Sequence, residues 1–129
     1  MNPKFQNVLK GIPQNVPPIW FMRQAGRYHQ HYQKLRAAHN FMELCKKPKL
    51  ACEVAMGPIE DFDFDVAILF SDLLFPLEAL GMGLKYDPAP ELSMKLNPEN
   101  LKKLRPFKDA IADLEFQREA MQLTRKALP

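Results

Sequence analysis

Two arginines, Arg23 and Arg27, stand four residues apart across Gln24, Ala25 and Gly26, directly after the apolar run Pro-Ile-Trp-Phe-Met at 18–22. A buried strand has no use for the arginines, and an exposed helix has no use for the glycine. Two guanidinium forks on one short loop can each take a carboxylate or phosphate through paired hydrogen bonds. Gly26 permits positive φ and lets a ligand approach the backbone closely. An arbitrary arginine pair is more often solvated or matched to acids of its own fold. The position at the end of an apolar run, beside a glycine, favours ligand binding here. The third candidate is Asp72, two residues past a second apolar run, Val66–Phe70. Read alone, Asp72 is a helix N-cap. Read with the arginines, it is a fixed negative charge at the same rim.

The elements around these residues explain why they would share a rim. The runs 18–22 and 66–70 are short, continuous and apolar, the pattern of strands buried on both faces. Helices are expected at 3–10, ending at Gly11, at 29–38, at 41–46, and from Pro48 to Phe62, where proline fits the first turn. Asp72 would cap a helix running to Leu80, with Gly81 and Gly83 ending it. Residues 84–97 read as proline-rich extended loop, with Leu84–Tyr86 a minor strand, followed by a short helix opened by Pro98. Lys108–Leu128 is the longest expected helix, with apolar groups on two sides: Ala110, Ile111, Leu114, Met121 and Leu128 on one, Phe116, Ala120, Leu123 and Ala127 nearly opposite. No tight hairpin is evident. Strands separated by helices pair in parallel, so the expected class is α/β. Ligands of parallel sheets and barrels bind beyond the carboxyl ends of the strands, which is where Arg23, Gln24 and Asp72 fall.

Composition narrows the field of functions. With 47% apolar and 26% charged residues, the 129-residue chain reads as one globular domain rather than a disordered segment. A formal charge of +3, from 18 basic and 15 acidic residues spread along the chain, argues against nucleic acid or anionic membrane as partner. No segment has the length of a membrane span, and the first residues lack the apolar core of a signal peptide. Cys45 and Cys52 suit neither a zinc knuckle nor a redox pair, and read as reduced thiols. His29 and His31 form a His-x-His without an evident carboxylate or cysteine partner, a weak metal signal, so no metal is expected. Trp20 reads as core and the seven methionines as core filling. No phosphate-binding loop, dinucleotide fingerprint or nucleophile triad is present.

The string PPIWFMRQAGRY, followed by FMELCKKPKLACEVAMGPIEDFDFDVAILFSDLLFPLEALGMGL, resembles the amino-terminal signature of the uroporphyrinogen decarboxylase family. The similarity is dense from residue 11 to 84 and looser to 128. It implies a TIM (β/α)8 barrel, of which this chain would supply an amino-terminal fragment, residues 1–129, with the first two strand–helix units. It implies a cytoplasmic homodimeric enzyme of haem and porphyrin biosynthesis, using no cofactor or metal, that removes carbon dioxide from the four acetates of uroporphyrinogen III to give coproporphyrinogen III. It further implies that Arg23, Gln24, Ala25, Gly26 and Arg27 line the substrate cleft, that Arg36 lies near substrate, and that Asp72 is the catalytic aspartate facing the pyrrole NH groups. Two positions depart from the family pattern. His29-Gln30 replaces an apolar-proline pair, and Gly57 stands where glutamine is usual. The remaining readings are a non-catalytic or split-gene fragment needing a complementary chain, a related barrel methyltransferase using zinc and a corrinoid, and a basic anion- or nucleic-acid-binding module.

Overall fold

The computed structural model describes residues 2–22, 26 and 28–129 and divides into two compact units. The first comprises residues 1–71 with 119–129, and the second residues 72–118.

In the first unit, α1 (Pro3–Leu9) is capped by Asn2, whose side chain accepts the Phe5 N–H at 3.1 Å, and it gives way to Gly11 at φ 68°. Helices α2 (Gln30–Ala38), α3 (Phe41–Lys46) and α4 (Pro48–Phe62) pack on one another. α3 carries a reciprocal cap: the Asn40 side chain accepts the Glu43 N–H at 2.9 Å, and the Glu43 carboxylate accepts the Asn40 N–H at 3.1 Å. Such a pair satisfies two amide donors that the helix itself leaves without partners. α4 starts with Pro48 and buries Ala51, Val54, Ala55, Met56, Gly57 and Pro58. These join Leu44 and Cys45 of α3 in the core. Cys45 is buried and Cys52 half-buried, and the two are not joined in a disulfide. α4 ends at Asp63, whose φ of 51° and ψ of 44° are left-handed. A left-handed residue at this point closes the helix, and aspartate tolerates it better than most side chains.

The two predicted parallel strands are not regular strands. Neither 18–22 nor 66–70 forms a β-ladder, and the main-chain bond between these stretches is Asp65 N–H to Ile19 O, 3.1 Å. The physical reason is partnership: a pair of apolar strands needs further strands at its edges and cover on both faces before a sheet is stable. Trp20, expected in the core, is 36% exposed, and Met22 is 72% exposed.

The second unit holds the sheet that is present. β1 (Leu84–Tyr86) and β2 (Pro90–Leu92) pair antiparallel, with Leu84 opposite Leu92 and Lys85 opposite Glu91. The expectation of no hairpin is thereby corrected. Three residues, Asp87–Ala89, make the turn, and the Asp87 N–H donates to Ala89 O. Before it, α5 (Phe75–Leu77) runs into a π-helical turn, Glu78–Met82. Gly81 at φ 90° and Gly83 at φ 68° break that turn as the sequence suggested. Arg105 stitches its end, donating to Ala79 O at 3.1 Å while pairing with Asp113. Phe75 is buried and meets the Phe116 ring edge-on at 5.4 Å.

The long carboxyl-terminal helix is segmented: α6 (Phe107–Ala110), a 3-10 turn (Ile111–Leu114) and α7 (Glu115–Ala127). Of the two expected apolar stripes, Ala110 and Ala120 are buried, whereas Ile111 and Met121 are exposed. Thr124 is buried because its hydroxyl donates to Ala120 O at 2.8 Å. That bond satisfies the polar atom within the helix itself.

Candidate functional site

Gly26 is half-buried, and its carbonyl accepts the His29 N–H at 3.2 Å, a turn that leads into α2. Arg23, Gln24, Ala25 and Arg27 lie outside the described residues. The stretches on either side are each held by an acid at or just beyond the end of α4.

On the leading side, the Asp65 side chain is 7% exposed. Its carboxylate accepts the Ile19 N–H at 2.9 Å and the Asn2 side-chain amide at 2.7 Å, and pairs with Lys4 at 3.1 Å. With the return bond from the Asp65 N–H to Ile19 O, residues 19 and 65 are joined twice. The Ile19 amide, then Lys4 and Asn2, hold the Asp65 carboxyl below the usual carboxylate range.

On the trailing side, His29 is 4% exposed, and its Nε2 donates to Asp61 Oδ2 at 2.6 Å. The ring sits 5.2 Å from Phe62 and 5.7 Å from His31. His31 Nε2 lies 3.9 Å from a Glu53 carboxylate oxygen. The sequence reading missed these acids: both histidines have carboxylate neighbours, supplied by α4 rather than by adjacent residues. Among the described residues, no three His, Cys, Asp or Glu side chains form a group that could hold a metal ion.

Arg36 sits in the last turn of α2, exposed, with Nη1 donating to His39 O at 2.8 Å. It closes the carboxyl end of α2, where a cation meets orphan carbonyls and the negative end of the helix dipole. The Arg36 guanidinium also lies near the Tyr32 phenol. Burial pushes the Tyr32 phenol up, aided by the nearby Cys45, against the opposing pull of Arg36. Tyr32 packs 5.5 Å from Phe70, and Phe41 lies 5.9 Å from Phe70 on another side. An aromatic cluster therefore steadies the end of the 66–70 run. A cavity of about 200 Å³ lies along that run, lined by Trp20, Met22, Val54, Pro58 and Leu69 among others.

In the second unit, Asp72 is half-buried and accepts the Leu74 N–H through Oδ1 at 2.7 Å. This is an Asx turn rather than a helix cap, and it fixes the direction of the carboxylate. Among the described residues, Oδ2 has no hydrogen-bond partner. Leu73 beside it is 94% exposed. A carboxylate with one oxygen anchored and one available suits electrostatic stabilisation of a positive charge.

Helices, a short antiparallel strand pair and apolar non-ladder segments define a mixed α and β protein. The family model for uroporphyrinogen decarboxylase matches residues 1–129. The chain is 43% identical over 128 residues to uroporphyrinogen decarboxylase of Syntrophotalea carbinolica, covering 96% of this chain and 36% of that protein. It is 40% identical over 129 residues to that of Trichlorobacter lovleyi (99% and 38%), and 39% identical over 132 residues to that of Francisella philomiragia (99% and 38%). The chain belongs to the uroporphyrinogen decarboxylase family. It spans little more than a third of the length of the curated relatives it matches.

Proposed function

We propose that this chain contributes the substrate-gripping arginines and the catalytic aspartate of a uroporphyrinogen decarboxylase, a cytoplasmic, homodimeric enzyme that converts uroporphyrinogen III to coproporphyrinogen III. The single observation that carries this reading is the match of the whole chain to the family. Residues 1–129 would be the amino-terminal part of one TIM-barrel domain, inactive alone because the rest of the cleft lies on the remaining two-thirds of such a protein.

The chemistry accounts for the residue types. A pyrrole acetate releases carbon dioxide readily once a proton adds to the adjacent ring carbon, because the ring cation then accepts the electron pair of the breaking C–C bond. Protonation of the exocyclic carbon makes the methyl group, and loss of the proton first added to the ring carbon restores the ring. The electron sink is the substrate itself, so the protein need supply only position and charge. Arg23 and Arg27 would hold the acidic arms in place, and Asp72, anchored by its turn, would stabilise the ring cation beside the pyrrole NH groups. Arg36 is engaged at the end of α2, so we assign it a structural role that supports the cleft wall rather than direct contact.

The test is a fusion of this chain to the residues that follow the matched region in the Syntrophotalea carbinolica relative, assayed with uroporphyrinogen. Asp72→Asn should lower kcat by about 10² to 10³, and Arg23→Ala should raise KM. Unaltered turnover in either variant refutes the role assigned to that residue. Decarboxylation by the 129-residue chain alone refutes its dependence on a remainder.

A further inference from the structure

We infer that Asp61 and Asp65 are positioning residues, a pair of carboxylates that fix both ends of the segment from Ile19 to His29. That segment carries Gly26 and the arginines assigned above to substrate carboxylates, so the inference rests on that assignment.

The two acids are four residues apart, Asp61 in the last turn of α4 and Asp65 just beyond it, with left-handed Asp63 between them. Their base is rigid, since α4 buries Val54, Ala55 and Pro58 in the core. Asp65 holds Ile19 by its backbone in both directions, through the Ile19 N–H to its carboxylate at 2.9 Å and its own N–H to Ile19 O at 3.1 Å. Asp61 holds His29 by its imidazole at 2.6 Å. His29 in turn fastens the segment's far end locally, through its N–H on the Gly26 carbonyl.

At Asp61, exposure argues for position over stability. Asp61 is half exposed, 53%, while its histidine partner is almost wholly buried. A carboxylate so open to water gains little from an ion pair. Its bond nonetheless selects the tautomer of a buried ring by taking the Nε2 proton, and so holds that ring in one orientation. Among the described residues, Lys4 and Asn2 from the amino terminus face Asp65, and His29 faces Asp61, with His31 and Glu53 beyond. Misplacing substrate-holding groups by an ångström far from the chemistry costs rate steeply, and guanidinium forks are directional enough to feel it.

The experiment has two arms. In the fusion described above, Asp65→Ala and Asp61→Ala should each raise KM for uroporphyrinogen roughly tenfold with kcat changed much less. Asp65→Asn and Asp61→Asn retain an oxygen in place, and should recover most of the loss. A merely structural role would lower the melting midpoint and the active fraction with KM unmoved, and that result overturns the inference. Arg23→Ala serves as the reference. If it raises KM and the alanine variants at 61 and 65 do not, the inference alone fails. If Arg23→Ala leaves KM unchanged, the substrate-binding reading of the segment fails first. The second arm needs no activity. In the 129-residue chain, the Ile19 amide should exchange slowly and the His29 Nε2 proton should be observable and lost in Asp61→Ala. Rapid exchange at Ile19, or a His29 imidazole indifferent to Asp61→Ala, overturns the inference.

Discussion

The imidazole of His31 lies against Gly57 of α4. A Cβ at position 57 would stand 2.8 Å from His31 Cε1 and 3.0 Å from Cγ, and closer still to Nδ1. The two residues belong together. The His31 ring fills the space that a side chain at position 57 would occupy, so the two form one packing arrangement between α2 and α4.

That relationship sets two effects against each other. Glycine inside a helix costs about 1 kcal/mol relative to alanine, so Gly57→Ala should stabilise a helix with open space at that site. Here the methyl would drive into a ring that is partly enclosed, and overpacking of that kind costs about 1 to 3 kcal/mol. The clash outweighs the propensity, so Gly57→Ala should destabilise the chain by about 1 kcal/mol in urea unfolding. In a His31→Ala background the sign should reverse. A Gly57→Ala substitution that is stabilising with His31 in place would show that the ring swings aside at no cost.

Asp65 gives a prediction in pH. Its folded value lies below the ordinary carboxylate value of about 3.9, so protonation favours the unfolded chain. The contribution is therefore complete above the unfolded value and is lost as pH falls through the folded one. Asp65→Ala should be less stable than the parent at pH 7, and the gap should close as both are titrated to strongly acidic pH. Glu43 and Glu115 are shifted in the same direction, by Lys47 and Arg118 respectively, but they persist in the variant. The difference between the two curves therefore isolates Asp65. A gap that stays constant from neutral to strongly acidic pH would mean the carboxylate adds nothing through its charge.

The sequence made the helices legible and the sheet illegible, for a physical reason in each case. α4 announces itself by Pro48 at a first turn and by apolar spacing, and the cap of α3, Asn40 with Glu43 three residues on, is a signal of the same local kind that the sequence reading passed over. All of these are local signals. The runs 18–22 and 66–70 carry the composition of buried strands, yet a strand exists only through its neighbours, and the main-chain bond that reaches Ile19 comes from Asp65, just before the second run. The antiparallel pair at 84–92 was half seen because its prolines, Pro88 and Pro90, hide a turn and an edge strand. At the site, Asp72 reads in sequence as a helix cap, whereas its carboxylate closes an Asx turn on Leu74 before the helix begins. The anchors Asp61 and Asp65 were not legible, although they sit in plain view in Glu-Asp-Phe-Asp-Phe-Asp. Acids at a helix end read as solvated, and only the fold reveals that Ile19 and His29 come to meet them.

Asp63 offers a direct measure of backbone strain. At φ 51° it occupies the left-handed region as the residue closing α4. A β-carbon there costs about 1 kcal/mol, less for aspartate than for alanine because its short polar side chain bonds locally. Asp63→Ala should lower stability by about 1 kcal/mol, whereas Asp63→Gly should be neutral or slightly stabilising, its relief set against the greater freedom of glycine in the unfolded chain. Thermal unfolding of the three proteins should rank glycine first and alanine last. Alanine equal to glycine would mean that α4 ends in another conformation.

The exposed apolar surface predicts how the chain behaves in solution. In the first unit, Ile19, Trp20, Phe21, Met22 and Ile68 face water to a third or more of their area, all on or beside the two strand-like runs. Those runs also have backbone groups without ladder partners, and an apolar edge of that kind templates further strand pairing. Charge repulsion is weak against it, with a net charge of only +3. At micromolar concentration the 129-residue chain should therefore self-associate, eluting ahead of its 14.9 kDa mass with light scattering confirming the larger species. Substituting the most exposed residues of the leading run, Phe21→Ser and Met22→Ser, should shift the distribution toward monomer, while the same changes at Leu9 and Leu101, exposed but remote in sequence from either run, should not. A parent chain that elutes as a monomer and unfolds in one cooperative step would show that the runs are covered without a partner.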